Sequence, residues 1–151
     1  MSTALGIGLT VGLTLVLITA LGSLLLMLRS VARKMEADAW RRYPQAYRID
    51  RTASFFGQQS RGVTQIRGNG TLILTDSDLI FEMWLPRREY RIALASIESL
   101  ENPKSFLGKT RFVPLLQVVF HHESETKDAM AWQVRDLHGW MQKIEEARRS
   151  S

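Results

Sequence analysis

Three short stretches of the sequence contain residue types that bind nucleotides or metals in other proteins. The first, Gly108-Lys109-Thr110, matches the last three residues of a phosphate-binding loop. The complete G-x-x-x-x-G-K-T motif requires a glycine where Pro103 stands, a buried strand before it and a helix after it. None of these is present in the sequence, so we expect no nucleotide site there.

The histidines do not form a metal-binding pattern. His121, His122 and Glu123 are consecutive, and alternation along a strand leaves only His121 and Glu123 on one face, which is too few ligands. His138 has no partner at ligand spacing. The chain contains no cysteine, which excludes disulfides, thiolate zinc sites, iron–sulfur clusters and a cysteine nucleophile.

Catalytic motifs are also missing from the sequence. It has no G-x-S-x-G nucleophile turn, no paired-carboxylate pattern and no glycine-rich dinucleotide turn. We therefore expect a protein that is not an enzyme and that holds neither a cofactor nor a metal ion. The enzyme alternative would require histidines and carboxylates from distant positions to meet in one pocket.

Basic residues are concentrated in the segments that we predict to be loops. If three such loops meet at one end of the fold, they would form a rim suited to anionic lipid headgroups. The simpler alternative is that these charges are only solvated. The candidate lipid-binding or anion-binding residues are Arg61, Arg67, Arg87, Arg88, Lys104, Lys109 and Arg111.

Two aromatic residues are candidates for contact with a protein partner. Trp84 ends a predicted strand, and Phe106 lies in a polar loop, where an exposed aromatic ring can anchor a partner or enter lipid. Phe106 can equally be tucked onto the domain, and the sequence leaves both positions open.

These candidates follow a long apolar segment at the N-terminus. No charged residue occurs from Ala4 to Leu28, which is long enough for a helix to cross a membrane. A cleaved signal peptide would have a positive segment before a shorter apolar stretch, whereas here the positive charge comes afterwards. We therefore predict a transmembrane helix at residues 4–28.

The charges after this segment predict its orientation. The five basic residues between Arg29 and Arg42 face only Glu36 and Asp38. Lys and Arg close to a span are retained in the cytoplasm. We expect a single-pass protein of the cell membrane, with its N-terminus outside and its C-terminal domain in the cytoplasm. A basic juxtamembrane helix or linker at residues 29–49 would join the two.

Small residues within the span form a further candidate site. Ala4, Gly8 and Gly12 are four apart, and Gly8 and Gly12 complete a G-x-x-x-G motif that lets membrane helices pack closely. This face would mediate self-association or pairing with another membrane protein. The alternative is that glycine is simply common in membrane helices.

The sequence from residue 68 onward predicts a mainly β fold. Period-two alternation indicates strands, with further short strands near Ile97, over residues 115–121 and over residues 129–135. Residues 50–68 show no sustained period. The alternating apolar residues are Leu72 and Leu74, then Leu79, Phe81, Met83 and Leu85, then Tyr90, Ile92 and Leu94.

The chain ends in a predicted amphipathic helix. Asp136 can cap it, and its apolar stripe consists of Leu137, Trp140, Met141 and Ile144. An antiparallel sheet exposes its edges unless it curls closed, and the helix stripe needs a surface to cover. We therefore predict a small antiparallel β-barrel or sandwich capped by a C-terminal α-helix.

The succession of these segments resembles the pleckstrin-homology-like (PH-like) and GRAM-like domains of bacteria. The likeness covers roughly residues 68–147 and implies a PH-like domain at residues 50–149. Eukaryotic relatives of the fold often bind phosphoinositides, but their dense Lys-x-Arg run across the first strand and turn is absent here. The likeness rests on the segments LILT, LIFEMW, YRIAL, SIESLEN, PLLQVVF, AMAWQV and DLHGWMQKIEE.

Two functions fit such a membrane-anchored domain. The first hypothesis is a non-enzymatic adaptor that binds a protein partner, for example within a membrane complex. The second is a sensor that binds anionic membrane lipid headgroups through the basic loops. We expect no nucleic-acid partner.

Overall fold

The computed structural model of the chain describes the backbone of residues 2–122, 124 and 126–150. Side chains are described from Gly12 onward, apart from Ala32 and the residues just left out. The chain divides into two compact units, Met1–Lys34 and Met35–Ser151. One continuous helix, α1 (Ser2–Arg42), forms the first unit and contributes residues 35–42 to the second.

The first unit is an apolar helix with exposed side chains. The stretch Gly12–Arg42 is long and apolar enough to cross a membrane, with a mean hydropathy of 2.1 in its most apolar part. The large apolar side chains between residues 13 and 28 are 50% to 66% exposed. The Thr19 hydroxyl donates to the carbonyl oxygens of Leu15 (3.0 Å) and Val16 (2.9 Å), so the helix itself satisfies this polar group. The predicted apolar helix is confirmed, whereas its membrane insertion and orientation stay predictions.

The second unit is built on an antiparallel sheet. Its strands are β1 (Arg48–Gln58), β2 (Gly68–Leu74), β3 (Asp78–Met83), β4 (Arg88–Ala93), β5 (Ile97–Glu101), β6 (Ser105–Phe106), β7 (Lys109–Thr110), β8 (Leu116–His121) and β9 (Lys127–Gln133), and the last helix is α2 (Leu137–Ser150). Seven strands lie in the order β4, β3, β2, β1, β9, β8, β5, and β6 and β7 form a separate hairpin. The predicted mainly β fold with a C-terminal helix is confirmed.

The sheet stays open, and its predicted closure into a barrel is wrong. β4 and β5 are the edge strands, joined by a turn at residues 94–96, and they do not pair with each other in the described part of the chain. α2 packs against this turn, and its Trp140 and Ile144 are fully buried in the core. Arg148 donates to the carbonyl oxygen of Ile97 at the start of β5 (2.7 Å). The helix therefore covers the opening that pairing of the two edges would have closed.

The alternation predicted for β2, β3 and β4 places one side of each strand in this core. Leu85 is an exception, because β3 ends at Met83 and the chain then turns, which leaves Leu85 83% exposed. The core residues that follow the predicted alternation are Leu72, Leu74, Leu79, Phe81, Met83, Ile92 and Leu94, with Tyr90 packed against them.

Two smaller apolar clusters cover the other face of the sheet. Ala39 of α1 packs with Ile73 and Ile80, so residues from the predicted juxtamembrane segment 29–49 belong to the domain. The β6–β7 hairpin covers a second area, where Phe106 is 7% exposed and packs in one cluster with Phe56. Both faces of the sheet are therefore partly covered.

β1 is the central strand, although its sequence pattern did not predict one. Its pairing shifts between Asp50 and Ala53 on the β2 side and between Phe55 and Gly57 on the β9 side. Phe55 and Phe56 are both fully buried, in the main core and in the cluster beneath the hairpin respectively. The backbone of Gly57 has a φ of 140°, which favours glycine at this irregularity.

The start of α2 matches the prediction. Oδ1 of Asp136 accepts a hydrogen bond from the Gly139 N–H (3.0 Å), and Oδ2 accepts one from Arg48 (2.7 Å). The hydrogen bonds from Arg48 and then Gly139 lower the pKa of the Asp136 carboxyl. The cap thus also links α2 to β1.

Candidate interaction site at the loop end

Three connections of the second unit contain the candidate basic residues, and the first of them contacts each of the other two. They are the first loop (residues 59–67, between β1 and β2), the turn (residues 84–87, between β3 and β4) and the long loop (residues 102–115, between β5 and β8). Lys109 of the long loop donates to the carbonyl oxygen of Gln65 in the first loop (2.7 Å). The N–H of Trp84 in the turn donates to the carbonyl oxygen of Asn69, just after the first loop (3.0 Å). We call this region the loop end.

One side chain fixes the shape of the first loop. The Gln65 amide nitrogen donates to the carbonyl oxygens of Gln58 and Gly62, both at 2.6 Å, and its oxygen accepts from the Gln58 N–H at 3.0 Å. The first loop is therefore held closed by side-chain hydrogen bonds that replace a strand ladder.

Four of the seven predicted anion-binding residues carry uncommitted charges. Arg87, Arg88, Lys104 and Arg111 are exposed, and their side chains make no hydrogen bond or ion pair with any described residue. An uncommitted cation on a surface is available to an anionic ligand without first breaking an internal contact.

The other three predicted basic residues contact the domain. Arg61 lies over the ring of Tyr90 (5.8 Å to its centroid), and Arg67 lies over the ring of Phe56 (4.5 Å). The Lys109 ammonium donates to carbonyl oxygens of two segments, at 2.7 Å and 3.4 Å, so it holds the long loop in place.

Exposed apolar side chains occur in all three connections, a feature that the sequence patterns did not predict. The first loop exposes Val63 (64%) and Ile66 (74%), the turn exposes Leu85 (83%), and the long loop exposes Phe112 (86%). Their sequence signal is weak: each is an apolar residue close to an arginine, and Leu85 continues the alternation of β3. Each of the three connections therefore contains both exposed apolar residues and basic residues.

Phe106 is tucked onto the domain, which decides between the two positions that the sequence left open. The hairpin that holds it turns at Leu107 and Gly108, which have φ values of 50° and 70°. Gly108-Lys109-Thr110 therefore belongs to a tight hairpin, a geometry unlike that of a phosphate-binding loop.

Trp84 lines a groove beside the turn. The groove has a volume of about 690 Å³, and its lining includes Met35, Asp38, Trp84, Arg87, Arg88 and Glu89. The indole nitrogen of Trp84 donates to the hydroxyl of Thr71 (3.2 Å), which is 1% exposed. This hydrogen bond orients the indole, and we call this feature the Trp84 groove.

A buried carboxylate organises the start of the first loop. Asp128 is 1% exposed and accepts hydrogen bonds from the Gln58 amide (2.6 Å), the Ser60 hydroxyl (2.7 Å) and the Ser60 N–H (2.9 Å). His122 lies 3.0 Å from the same carboxylate. Burial raises the pKa of Asp128, but these hydrogen bonds outweigh it and lower the pKa to about 2.

This cluster does not have the arrangement of a hydrolytic triad. In a triad a histidine lies between the serine and the carboxylate, whereas here the carboxylate of Asp128 lies between Ser60 and His122. His121 pairs with Glu98 at 2.9 Å. Within the described residues, no three histidine, aspartate or glutamate side chains come together as a metal site.

The predicted helix-packing residues belong to the first unit. The side chains of Ala4 and Gly8 lie outside the described residues. Gly12 has open space around the position of a Cβ atom. Packing of this face against another helix stays a prediction.

Comparison with known proteins adds a fold and no function. No protein-family model and no curated protein matches the chain. It is similar to the C-terminal domain of an unknown protein from Leishmania infantum, with a TM-score of 0.55 and 12% identity over 76% of this chain and 97% of that one. A chain of the 8S snRNP assembly intermediate has a TM-score of 0.50 and 9% identity over 70% of this chain and 80% of its own. At these identities the likeness shows a shared fold alone.

Proposed function

We propose that this protein is a membrane-anchored, non-enzymatic PH-like domain whose loop end binds the surface of an anionic membrane. The observation that carries the proposal is that exposed apolar side chains accompany uncommitted cations in the turn and in the long loop, with further exposed apolar side chains in the first loop. An antiparallel sheet followed by one C-terminal helix supports the PH-like assignment. The lipid hypothesis is thereby preferred over the adaptor hypothesis for the loop end.

Both kinds of side chain would contribute to membrane binding. A lysine or arginine near an anionic surface contributes about 1 kcal/mol. Full burial of a leucine or phenylalanine side chain contributes about 1.5–3 kcal/mol, and insertion into the interface gains a part of this. Leu85 and Phe112 are the most exposed of the large apolar residues, so they are the side chains that gain most from insertion.

Only a short stretch of chain separates the apolar run from the Trp84 groove. Met35 follows Leu28, the last residue of the apolar run, by seven residues, and Met35 lines the Trp84 groove beside the turn. Seven residues span at most about 25 Å even when fully extended. Basic residues after the span would keep the domain on the cytoplasmic side, where the leaflet carries anionic lipids.

The test uses single cysteines in the full-length protein, which has none of its own. Cysteine is introduced by Leu85→Cys or Phe112→Cys and labelled with the environment-sensitive dye NBD. Ala95→Cys, in the exposed turn between β4 and β5, serves as the control. Each labelled protein is inserted into nanodiscs of phosphatidylcholine alone or with added phosphatidylglycerol, and fluorescence is recorded across a salt series.

We expect the emission maximum of the dyes at positions 85 and 112 to shift to shorter wavelength in the anionic nanodiscs. As the salt concentration rises, the emission should return to its value in water, because salt screens the basic residues. The dye at Ala95 should not respond. Charge reversal at Lys104 and Arg111 should weaken the shift. The proposal would be refuted if the dyes at both loop positions kept the emission spectrum of a water-exposed dye in both kinds of nanodisc.

A further inference from the structure

The Trp84 groove has a chemical character that the membrane-binding role does not explain. Its apolar floor includes Met35 and the half-buried Trp84, and the hydrogen bond to Thr71 presents the indole to the groove in one orientation. A volume of about 690 Å³ exceeds the needs of a single phosphate. An oriented tryptophan in such a groove is typical of a residue that anchors a protein partner.

The carboxylates of the groove are all paired with arginines. Glu82 receives two hydrogen bonds from Arg42, one of them at 2.6 Å. Asp38 and Glu89 have their partners at 3.7 Å and 3.1 Å, in Arg41 and Arg91 respectively. The negative charge of the groove is therefore already compensated.

The remaining charge is positive and lies at the rim. Arg87 and Arg88 line the groove, and neither side chain has a hydrogen-bonding or ionic partner among the described residues. They can therefore pair with an anion, and the arginine-paired carboxylates beside them leave only separate positions for further negative charge. A partner whose acidic residues are spaced along a chain fits this pattern.

We infer that the Trp84 groove binds an acidic amphipathic segment of a partner protein. An apolar side chain of the segment covers Trp84 and Met35, and its carboxylates pair with Arg87 and Arg88 as charge-assisted hydrogen bonds. The occupant is a protein segment because mixed fixed charges discriminate between sequences, whereas a lipid surface offers no such pattern. In this site Arg87 and Arg88 pair with the protein partner, and the contact with anionic lipid falls to Lys104 and Arg111.

The experiment begins with photo-crosslinking of the full-length protein in its native membrane. The photoreactive residue p-benzoylphenylalanine replaces Met35, which keeps the charged groups of the groove, and in the control it replaces the exposed Ala95. Mass spectrometry then maps the crosslinked residue on the partner. We expect a crosslink from the groove alone, to a segment in which acidic and apolar residues alternate with helical or strand spacing.

The second step measures affinity with a synthetic peptide of the mapped segment and the full-length protein. Arg87→Glu combined with Arg88→Glu should weaken binding by about tenfold or more. A peptide whose acidic residues are replaced by lysine should bind this double variant better than it binds the wild type. Lys104→Glu combined with Arg111→Glu is the matched control and should leave peptide affinity unchanged.

Four outcomes would overturn the inference. The first three are crosslinks to lipid only, crosslinks to a basic segment, and no crosslink from the groove. The fourth is a peptide affinity that is unchanged by the double substitution of Arg87 and Arg88. Both arginines are exposed and have no ionic partner among the described residues. The double variant should therefore keep the wild-type melting temperature, so that weaker binding is not caused by a folding defect. The dyes at the loop tips can still respond when the peptide fails to bind, which separates this failure from that of the membrane proposal.

Discussion

Replacing Asp128 by asparagine tests how a buried charge holds the first loop to the sheet. The substitution keeps the shape of the side chain and one acceptor oxygen but removes the negative charge. In the native protein that charge receives short hydrogen bonds from Gln58 and Ser60 and lies beside His122. The stability lost on substitution therefore reports the preference of this site for a carboxylate.

The size of the loss follows from the pKa of Asp128. Hydrogen bonds outweigh the effect of burial and lower this pKa from 3.8 to about 2 in the folded protein. Because the folded pKa lies below the unfolded one, the carboxylate stabilises the fold fully above the unfolded value and loses this contribution as pH falls towards 2. The contribution is about 2 kcal/mol at neutral pH and about 1 kcal/mol near pH 3.

Urea unfolding of the full-length protein, followed by tryptophan fluorescence, measures this difference. Asp128→Asn should be less stable than the wild type by about 2 kcal/mol at neutral pH, and the gap should narrow as pH falls. Asp38→Asn is the control, because Asp38 is partly exposed and its ion pair contributes less than about 1 kcal/mol. A gap that stays constant from neutral pH to pH 3 would refute the electrostatic explanation.

Two further predictions concern packing, and urea unfolding measures both. Gly70→Ala should destabilise the domain by more than about 2 kcal/mol, because a Cβ atom would lie 2.4 Å from the carbonyl oxygen of Glu82 and 2.5 Å from the ring of Phe81. If the Gly70→Ala variant unfolded at the same urea concentration as the wild type, the close approach of Glu82 and Phe81 to Gly70 would be contradicted. Phe106→Ala should cost about 3 kcal/mol and Phe112→Ala less than about 0.5 kcal/mol, since these rings are 7% and 86% exposed. Equal losses of stability in these two variants would contradict the burial of Phe106 and the exposure of Phe112.

Elements with an uninterrupted period could be predicted from the sequence. One side of β2, β3 and β4 lies in a single core and gives a period-two signal even where Ile73 and Ile80 are buried on the other face, and α2 shows a helical stripe with Asp136 at its cap. Open or closed topology could not be predicted in the same way. The period-two alternation of apolar residues indicates which side of a strand is buried. It contains no information on whether the two edge strands pair with each other.

β1 could not be predicted from the sequence because it contacts two apolar clusters and contains two shifts of pairing register. Phe55 packs in the main core and Phe56 beneath the β6–β7 hairpin, so adjacent residues are both buried and alternation disappears. The register shifts near Asp50 and Gly57 change the phase of the pattern twice within one strand. A central strand buried on both faces therefore has a sequence like that of a loop.

The candidate site shows the same limit at the level of single residues. Phe106 and Phe112 occupy one loop, six residues apart, and each stands between a polar residue and an apolar one. The hairpin turn at Leu107 and Gly108 folds Phe106 back onto Phe56, whereas Phe112 follows the end of β7 and points away from every described apolar cluster. Sequence composition could thus place an aromatic residue at the loop end but could not distinguish a structural ring from one available to a membrane. That distinction depends on a backbone turn, and it decides that Phe112, rather than Phe106, is the residue to label.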